Sequence, residues 1–230
     1  MRKHAYLLTV NSNHQVLSTC LRMLDKAEND IFILGDRKRF KSRTDCAAYL
    51  PKLSYAKLIV LDPVCINWGG FSQIKAELIL LKSALDNGTD YSYLHYLQNS
   101  DLPIKSHEDI LNFFESHHGY EFVNVVDYWD DRVWRARYRF FLCDFGCFKR
   151  CRVLRGANMA LFKIQRLLGM CINEDITLYV GSALFSITPS CAKYILGRER
   201  EILSRFKWSY CGDEIFLPTI IMDSPLLVMR

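Results

Sequence analysis

Several signatures of common enzyme chemistry are missing from this chain. It has no G-x-x-x-x-G-K-[ST] phosphate loop, no G-x-G-x-x-G turn, no G-x-S-x-G elbow and no H-E-x-x-H helix. ATP hydrolysis, dinucleotide redox chemistry and the common hydrolase reactions lose weight accordingly. No apolar run approaches the roughly 20 residues that a membrane-spanning helix needs. The run AYLLTV is cut off by Asn11, Ser12 and Asn13, too short for the apolar core of a signal peptide, so a first strand is expected almost at residue 1. There is no C-x-x-C pair among the nine cysteines, which removes the usual zinc clasp and dithiol redox motif. Their odd number and scatter suggest a reducing compartment. Cys143, Cys147 and Cys151 are spaced four apart; on a helix they would form one stripe, either a metal ligand set or small buried apolar residues.

What is present describes a folded protein. Of the 230 residues, 50% are apolar and 24% charged, a globular composition large enough to bury a substantial core. The net charge of +5 favours anionic partners such as phosphates, nucleic acid or acidic lipid headgroups, without choosing among them or against a simple mixed surface.

Hydrophobic periodicity organises the first half. AYLLTV, the helical pattern VLSTCLRMLDKA and the run IFILGD read as strand, helix, strand, a parallel unit with a right-handed crossover. AKLIVLD predicts another strand. FSQIKAELILLKSALDNG carries an apolar stripe at Ile74, Leu78, Leu81 and Leu85 with Asn87-Gly88 as its stop. YSYLHYLQNSDLPI predicts a strand and polar turn, SHEDILNFFESHH a helix with Ser106 and Asp109 as a capping pattern, and EFVNVVD a strand. Strands alternating with helices define an α/β fold with a largely parallel sheet, whose ligands sit beyond the carboxyl ends of the strands. That puts Asn11, Asp36-Arg37, Asn99-Ser100-Asp101 and Asp127 at the candidate site. The second half is less regular: the basic aromatic stretch DDRVWRARYRFFLCDFGCFKRCRVLRG, a helix NMALFKIQRLLGM, and the acidic turn CGDE before IFLPTIIM. No repeat or linker is evident, so one domain is expected over 1–230, with halves at 1–127 and 128–230.

Three features bear chemistry. Asp36 next to Arg37 at a strand exit suits a nucleoside, or merely caps a turn. Asp213-Glu214 sets two carboxylates side by side, where desolvation and mutual repulsion raise proton affinity toward that of a general base; the alternative is a cap and first-turn acid on a helix starting at Ile215. Arg132, Arg135, Arg137, Arg139, Lys149, Arg150, Arg152 and Arg155, interleaved with Trp134, Tyr138, Phe140 and Phe141, suit anions, stacked sugars or single-stranded nucleic acid, or form an alternating strand with its basic face in water. No D-x-D occurs in the chain, so a diphosphate would meet basic side chains rather than a metal held on that motif.

In order along the chain, AYLLTVNSNH, IFILGDRK, NWGGFSQIKAELILLKSAL, YSYLHYLQNSDLPIKSHEDILNFF, YVGSALFSITPSCAKYIL and CGDEIFLPTII resemble the core-2/I-branching β-1,6-N-acetylglucosaminyltransferases and the related xylosyltransferases, in a short bacterial form. The resemblance implies a Rossmann-like, GT-A-like nucleotide-sugar-binding domain and an inverting, metal-independent transferase needing no cofactor. It implies a UDP-sugar donor, a glycan or lipid-linked glycan acceptor and no nucleic acid partner. A role in surface polysaccharide synthesis follows, in the cytoplasm or peripherally on the inner membrane face. Glu214 would be the catalytic base. Val10, Asn11, Asp36, Arg37, Ser100, Asp101, Gly181 and Ser182 would bind the donor, with Pro103 completing the S-D-x-P-I turn and Gly181-Ser182 forming a turn of their own. Arg132, Trp134, Arg137 and Asp213 would lie near the acceptor. In LGDR, Leu34-Gly35 replaces the family's His before the Asp. The family extends further beyond the D-E segment, and its basic residues there would be replaced by the stretch Arg132–Arg155 or by Arg230; the alternative is an inactive sugar-nucleotide-binding protein.

Overall fold

A computed structural model describes residues 3–11, 14–126 and 131–225. Asp127 and Arg230, both singled out above, lie outside the described residues. In chain order the elements are β1 (Lys3–Val10), α1 (His14–Met23), β2 (Asn29–Asp36), α2 (Arg43–Tyr49), β3 (Lys57–Val64), α3 (Phe71–Leu85), β4 (Tyr91–Gln98), α4 (His107–Ser116), β5 (Phe122–Val126), α5 (Trp134–Arg137), α6 (Arg152–Leu167), β6 (Val180–Ile187), α7 (Pro189–Gly197), α8 (Glu199–Phe206) and α9 (Phe216–Met222). The α/β architecture expected from the sequence is therefore what the chain adopts.

The elements gather into two compact units, and no single cut in the chain separates them. One comprises residues 1–65, 79–122 and 184–193; the other comprises 66–78, 123–183 and 194–230. In the first unit the strand order is β3-β2-β1-β4-β6. The pairs β2-β3, β1-β2 and β1-β4 are parallel, and β4 meets β6 antiparallel through Leu94, His95 and Tyr96 opposite Ile187, Ser186 and Phe185.

β2 is buried along its whole length and β1 nearly so, the signature of parallel strands covered on both faces. Tyr6, Leu8, Val10, Ile31 and Ile33 take one face, packed against Leu17, Cys20, Leu21 and Leu24 of the first crossover and against Phe40 and Cys46. Ala5, Leu7, Phe32 and Leu34, alternating with them, are equally buried. The Ser106 hydroxyl accepts from the Asp109 amide at 3.1 Å and caps α4, as its pattern predicts. In the second unit, β5 lies beside the first half of β6, and Trp134, Tyr138 and Phe162 pack around Phe140, Cys143 and Phe148.

Several local expectations change. The basic stretch holds the short helix α5, not an alternating strand with its basic face in water: the consecutive Arg135 and Ala136 are both buried, which the period-two alternation of a strand does not give. The α6 helix begins at Arg152, just after Cys151, so Cys143, Cys147 and Cys151 precede it and form no helical stripe; Cys143 is buried and Cys147 exposed. Gly181 and Ser182 lie inside β6 rather than in a turn. A Cβ at Gly181 would come within 1.9 Å of the Asn124 carbonyl oxygen, so only glycine allows the two strands this approach.

The first unit also buries a chain of polar rings. His4 Nδ1 lies 2.8 Å from His95 Nε2, and His95 Nδ1 lies 2.8 Å from the Ser186 hydroxyl, under Tyr6, Tyr93 and Phe114. Burial, with the nearby His107 adding to it, pushes His4 down to about 4. Burial and His4 push His95 well below the usual imidazole value. With the folded value depressed, the contribution is complete above the unfolded value of 6.5 and is lost as pH falls toward about 4. Urea unfolding near pH 7 and pH 5 is expected to show the native chain losing stability relative to His4→Gln on acidification; parallel pH slopes would refute the buried neutral pair.

Candidate active site

The chemistry-bearing residues of the second unit converge on the segment before α9. From Phe216 to Ile221 every residue of that helix is buried, and the Thr219 hydroxyl accepts from the Tyr179 amide at 3.0 Å. Pro218 sits in the first turn, where its missing N–H breaks no helical bond. With the helix pinned, the chain entering it is pinned too. Cys211 takes a left-handed conformation at φ 48°, and Gly212–Glu214 form one 3-10 turn. A Cβ at Gly212 would run into the Ser209 Oγ, so a larger residue there would displace that hydroxyl from its bond to the Phe206 carbonyl. This tight reversal sends the two neighbouring carboxylates in opposite directions. Asp213 is buried, whereas the Glu214 side chain is 35% exposed.

Each carboxylate meets a different partner. Glu214 Oε2 receives Arg135 Nη1 at 2.8 Å. The Arg135 guanidinium, 9% exposed, is held from the turn just before its helix by Nε donating to the Arg132 carbonyl at 3.3 Å, and its backbone carbonyl accepts from the Tyr210 amide at 2.8 Å. Asp213 Oδ2 accepts from Gln73 Nε2 at 2.8 Å. Gln73 Oε1 in turn accepts from the Gly69 amide. One helical turn beyond Gln73, on the same face, lies Glu77. It is 1% exposed, and among the described residues both its oxygens, Asp213 Oδ1 and Arg135 Nη2 have no hydrogen-bond partner.

The electrostatics separate the three acids. Burial, then the charge of Asp213, raises Glu77 well above the carboxylate range and favours its protonated form. Burial, then the Glu214 charge, raises Asp213 to about 7 against the opposing pull of Arg135. The raised proton affinity expected of the pair thus falls on Asp213. Glu214 alone of the three is ion-paired and open to solvent, the arrangement a group needs to reach an incoming hydroxyl. Neither carboxylate caps α9, which has no side-chain cap.

The other residues singled out from sequence divide between the units. In the first, Val10-Asn11, Asp36-Arg37 and Ser100-Asp101 follow the ends of the parallel neighbours β1, β2 and β4, so they share one sheet edge. Asp36 is buried, accepts from the Lys38 amide at 3.0 Å and pairs with Lys38 Nζ at 3.2 Å. Arg37 Nε donates to the Pro63 carbonyl at 3.0 Å. Asp101 Oδ2 accepts from the Gln98 amide at 2.8 Å and fixes its turn. In the second unit Arg132 is exposed, and Trp134 packs against Phe162 in a tilted pair with centroids 4.8 Å apart. Arg137 spends both terminal nitrogens on the Asn173 and Ile176 carbonyls. Val133, Trp134, Arg137, Tyr138, Cys171 and Glu174 line a depression of about 430 Å³.

Three residues of the cluster were not distinguished by sequence. Arg135 was one basic residue among eight, and only the turn of α5 selects it over Arg137. Gln73 and Glu77 sat in a helix read for its apolar stripe; a Glu at i+4 from a Gln on its buried side was the available signal.

The model of the family described as Core-2/I-Branching enzyme matches residues 4–229. The chain belongs to that family. Among curated proteins, this Core-2/I-Branching member is 20% identical over 218 residues to a human N-acetyllactosaminide β-1,6-N-acetylglucosaminyl-transferase. The match covers 94% of this chain and 52% of the human protein, so the chain spans about half the length of that relative. Among solved structures, apo mouse xyloside xylosyltransferase 1 is similar with a TM-score of 0.45 and 10% identity, covering 99% of this chain and 84% of that one.

Within this family member, Asp213 offers a direct test of the cluster. A carboxyl whose folded value is raised from 3.8 to about 7 contributes unfavourably above pH 7 and not at all once both states are protonated. Relative to Asp213→Asn, the native chain is expected to gain on the order of a few kcal/mol as pH falls from about 7 toward 4, by urea unfolding. A constant difference across that range would show that Asp213 is not desolvated.

Proposed function

We propose that the chain is an inverting, metal-independent glycosyltransferase that moves a sugar, with N-acetylglucosamine the first candidate, from a UDP-sugar to a glycan hydroxyl in surface polysaccharide synthesis. The observation that carries this reading is Glu214: the solvent-facing member of a buried acid cluster, oriented by Arg135 at 2.8 Å, in a chain that matches the family over 4–229. In this role its carboxylate removes the proton of the acceptor hydroxyl as that oxygen attacks the anomeric carbon, the bond to the UDP oxygen breaks on the opposite face, and the configuration inverts. Arg135 holds the carboxylate in one rotamer, which favours a productive approach over a mobile one. Asp213, turned inward and largely protonated below neutrality, limits the negative charge next to the base. Its assignment as an acceptor contact is replaced by this supporting role, because the side chain is buried on Gln73. Asp36 is proposed separately as the nucleoside contact of the first unit, at a sheet edge suited to ligands.

Glu214→Gln keeps the shape and a contact to Arg135 but removes the base. Transfer, read as UDP release across a panel of UDP-sugars with glycan acceptors, is expected to fall by roughly 10²–10⁴-fold, while UDP binding by calorimetry stays unchanged. Native turnover in the variant would eliminate Glu214 as base. UDP binding without turnover in the native chain, for every donor and acceptor offered, would favour an inactive nucleotide-binding protein.

A further inference from the structure

The α6 helix is built inside out. Its inward side is tethered by two buried amides seven residues apart, Asn158 and Gln165. Asn158 accepts from the Leu142 amide at 3.4 Å and donates to Cys143 Sγ at 3.2 Å. Gln165 accepts from the Arg139 amide at 3.0 Å and donates to the Arg139 carbonyl at 2.9 Å. Phe162 and Leu154 add apolar contact on that side. The large aliphatic side chains lie outside: Val153 is 78% exposed, Ile164 52%, Leu167 86% and Leu168, just past the helix, 65%.

At 100° per residue these four fall, with the small Ala157 and Ala160, within one sector about 100° wide. Arg152, Arg155, Lys163 and Arg166 fill the adjoining sector. Between Asp144 and Glu174 the sequence has no Asp or Glu at all, against six basic residues, including Lys149 and Arg150. The outward half of the helix is therefore an apolar flank beside a cationic flank, roughly 24 Å long.

We infer that α6 is a docking element for the surface of an anionic phospholipid bilayer, lying in the interface plane. A contiguous exposed apolar strip marks an interaction surface, and the charge decides the occupant. A second copy would bring six like charges against six. Nucleic acid would answer the arginines but leave Leu167 and Ile164 in water. An anionic bilayer covers both flanks at once: the aliphatic side chains enter the acyl boundary and the arginines meet phosphate headgroups. Among the described residues no helix is long and apolar enough to cross a membrane, in keeping with a helix that lies on one. The inference stands apart from the proposed reaction and extends to a named helix the membrane contact that a lipid-linked acceptor would require.

Vesicle flotation tests it with the whole chain. Binding is expected to vesicles of phosphatidylcholine mixed with phosphatidylglycerol, not to phosphatidylcholine alone, and to weaken as salt is added. Ile164→Asp with Leu167→Asp should abolish it; both sites are exposed, and circular dichroism checks that the fold is kept. Arg155→Gln with Lys163→Gln should lower the partition coefficient roughly fivefold per residue. The inference is overturned by absent binding at low salt or by unchanged binding in either variant. It is equally overturned if the strip instead drives self-association, or salt-sensitive RNA binding, without any vesicle binding. UDP release measured in solution without vesicles reports on the transfer reaction independently.

Discussion

Glu214 faces solvent only because Asp213 is turned the other way, and this division of two adjacent carboxylates governs the second unit. It requires the buried run Phe216–Ile221 to hold the exit of the turn, Gly212 to let it close on Ser209, and Gln73 to receive Asp213 inside. Arg135 then compensates the one charge that reaches water. If Asp213 were not accepted by the interior, the turn would present both carboxylates to solvent, and their repulsion would act against the single guanidinium.

Glu77 shows the cost at which this arrangement is held. A fully buried acid whose two oxygens find no partner among the described residues is tolerated when it keeps its proton, and burial together with Asp213 pushes it that way. A protonated Glu77 and an inward Asp213 keep the interior of the cluster close to neutral, so that its ionic character is concentrated on the exposed Glu214–Arg135 pair. The first unit reaches a comparable end by other means: the His4–His95–Ser186 chain stays neutral under aromatic rings while the sheet edge beyond β1, β2 and β4 carries the polar exits.

The second unit also has an opposite economy in α6. There the amides of Asn158 and Gln165 satisfy backbone groups of the loop beneath, which leaves aliphatic side chains facing outward. A helix that turns two amides inward while Val153, Ile164 and Leu167 face out depends on those amides finding partners, and it leaves a surface whose charge and apolarity call for an anionic lipid interface.

Local periodicity was enough to read most of the first unit. Alternation and apolar runs placed β1, β2, β3 and β4, and Ser106 announced the start of α4, because strand burial and helix capping depend on residues a few positions apart. The Asp213-Glu214 pair was visible as a pair. Which carboxylate goes inside was not, since that depends on Gln73, Glu77 and Arg135, up to 140 residues away in the chain. WRARY offered four basic or aromatic candidates, and only the turn of α5 brings Arg135 rather than Arg137 to Glu214. The sequence by itself determined the α/β class, the order of elements and the presence of paired acids, because these follow from short-range pattern. Which acid is buried, which arginine pairs with the other, and that Val153, Ile164 and Leu167 of α6 face out are settled only in three dimensions, because burial and ion pairing are set by contacts that no local pattern encodes.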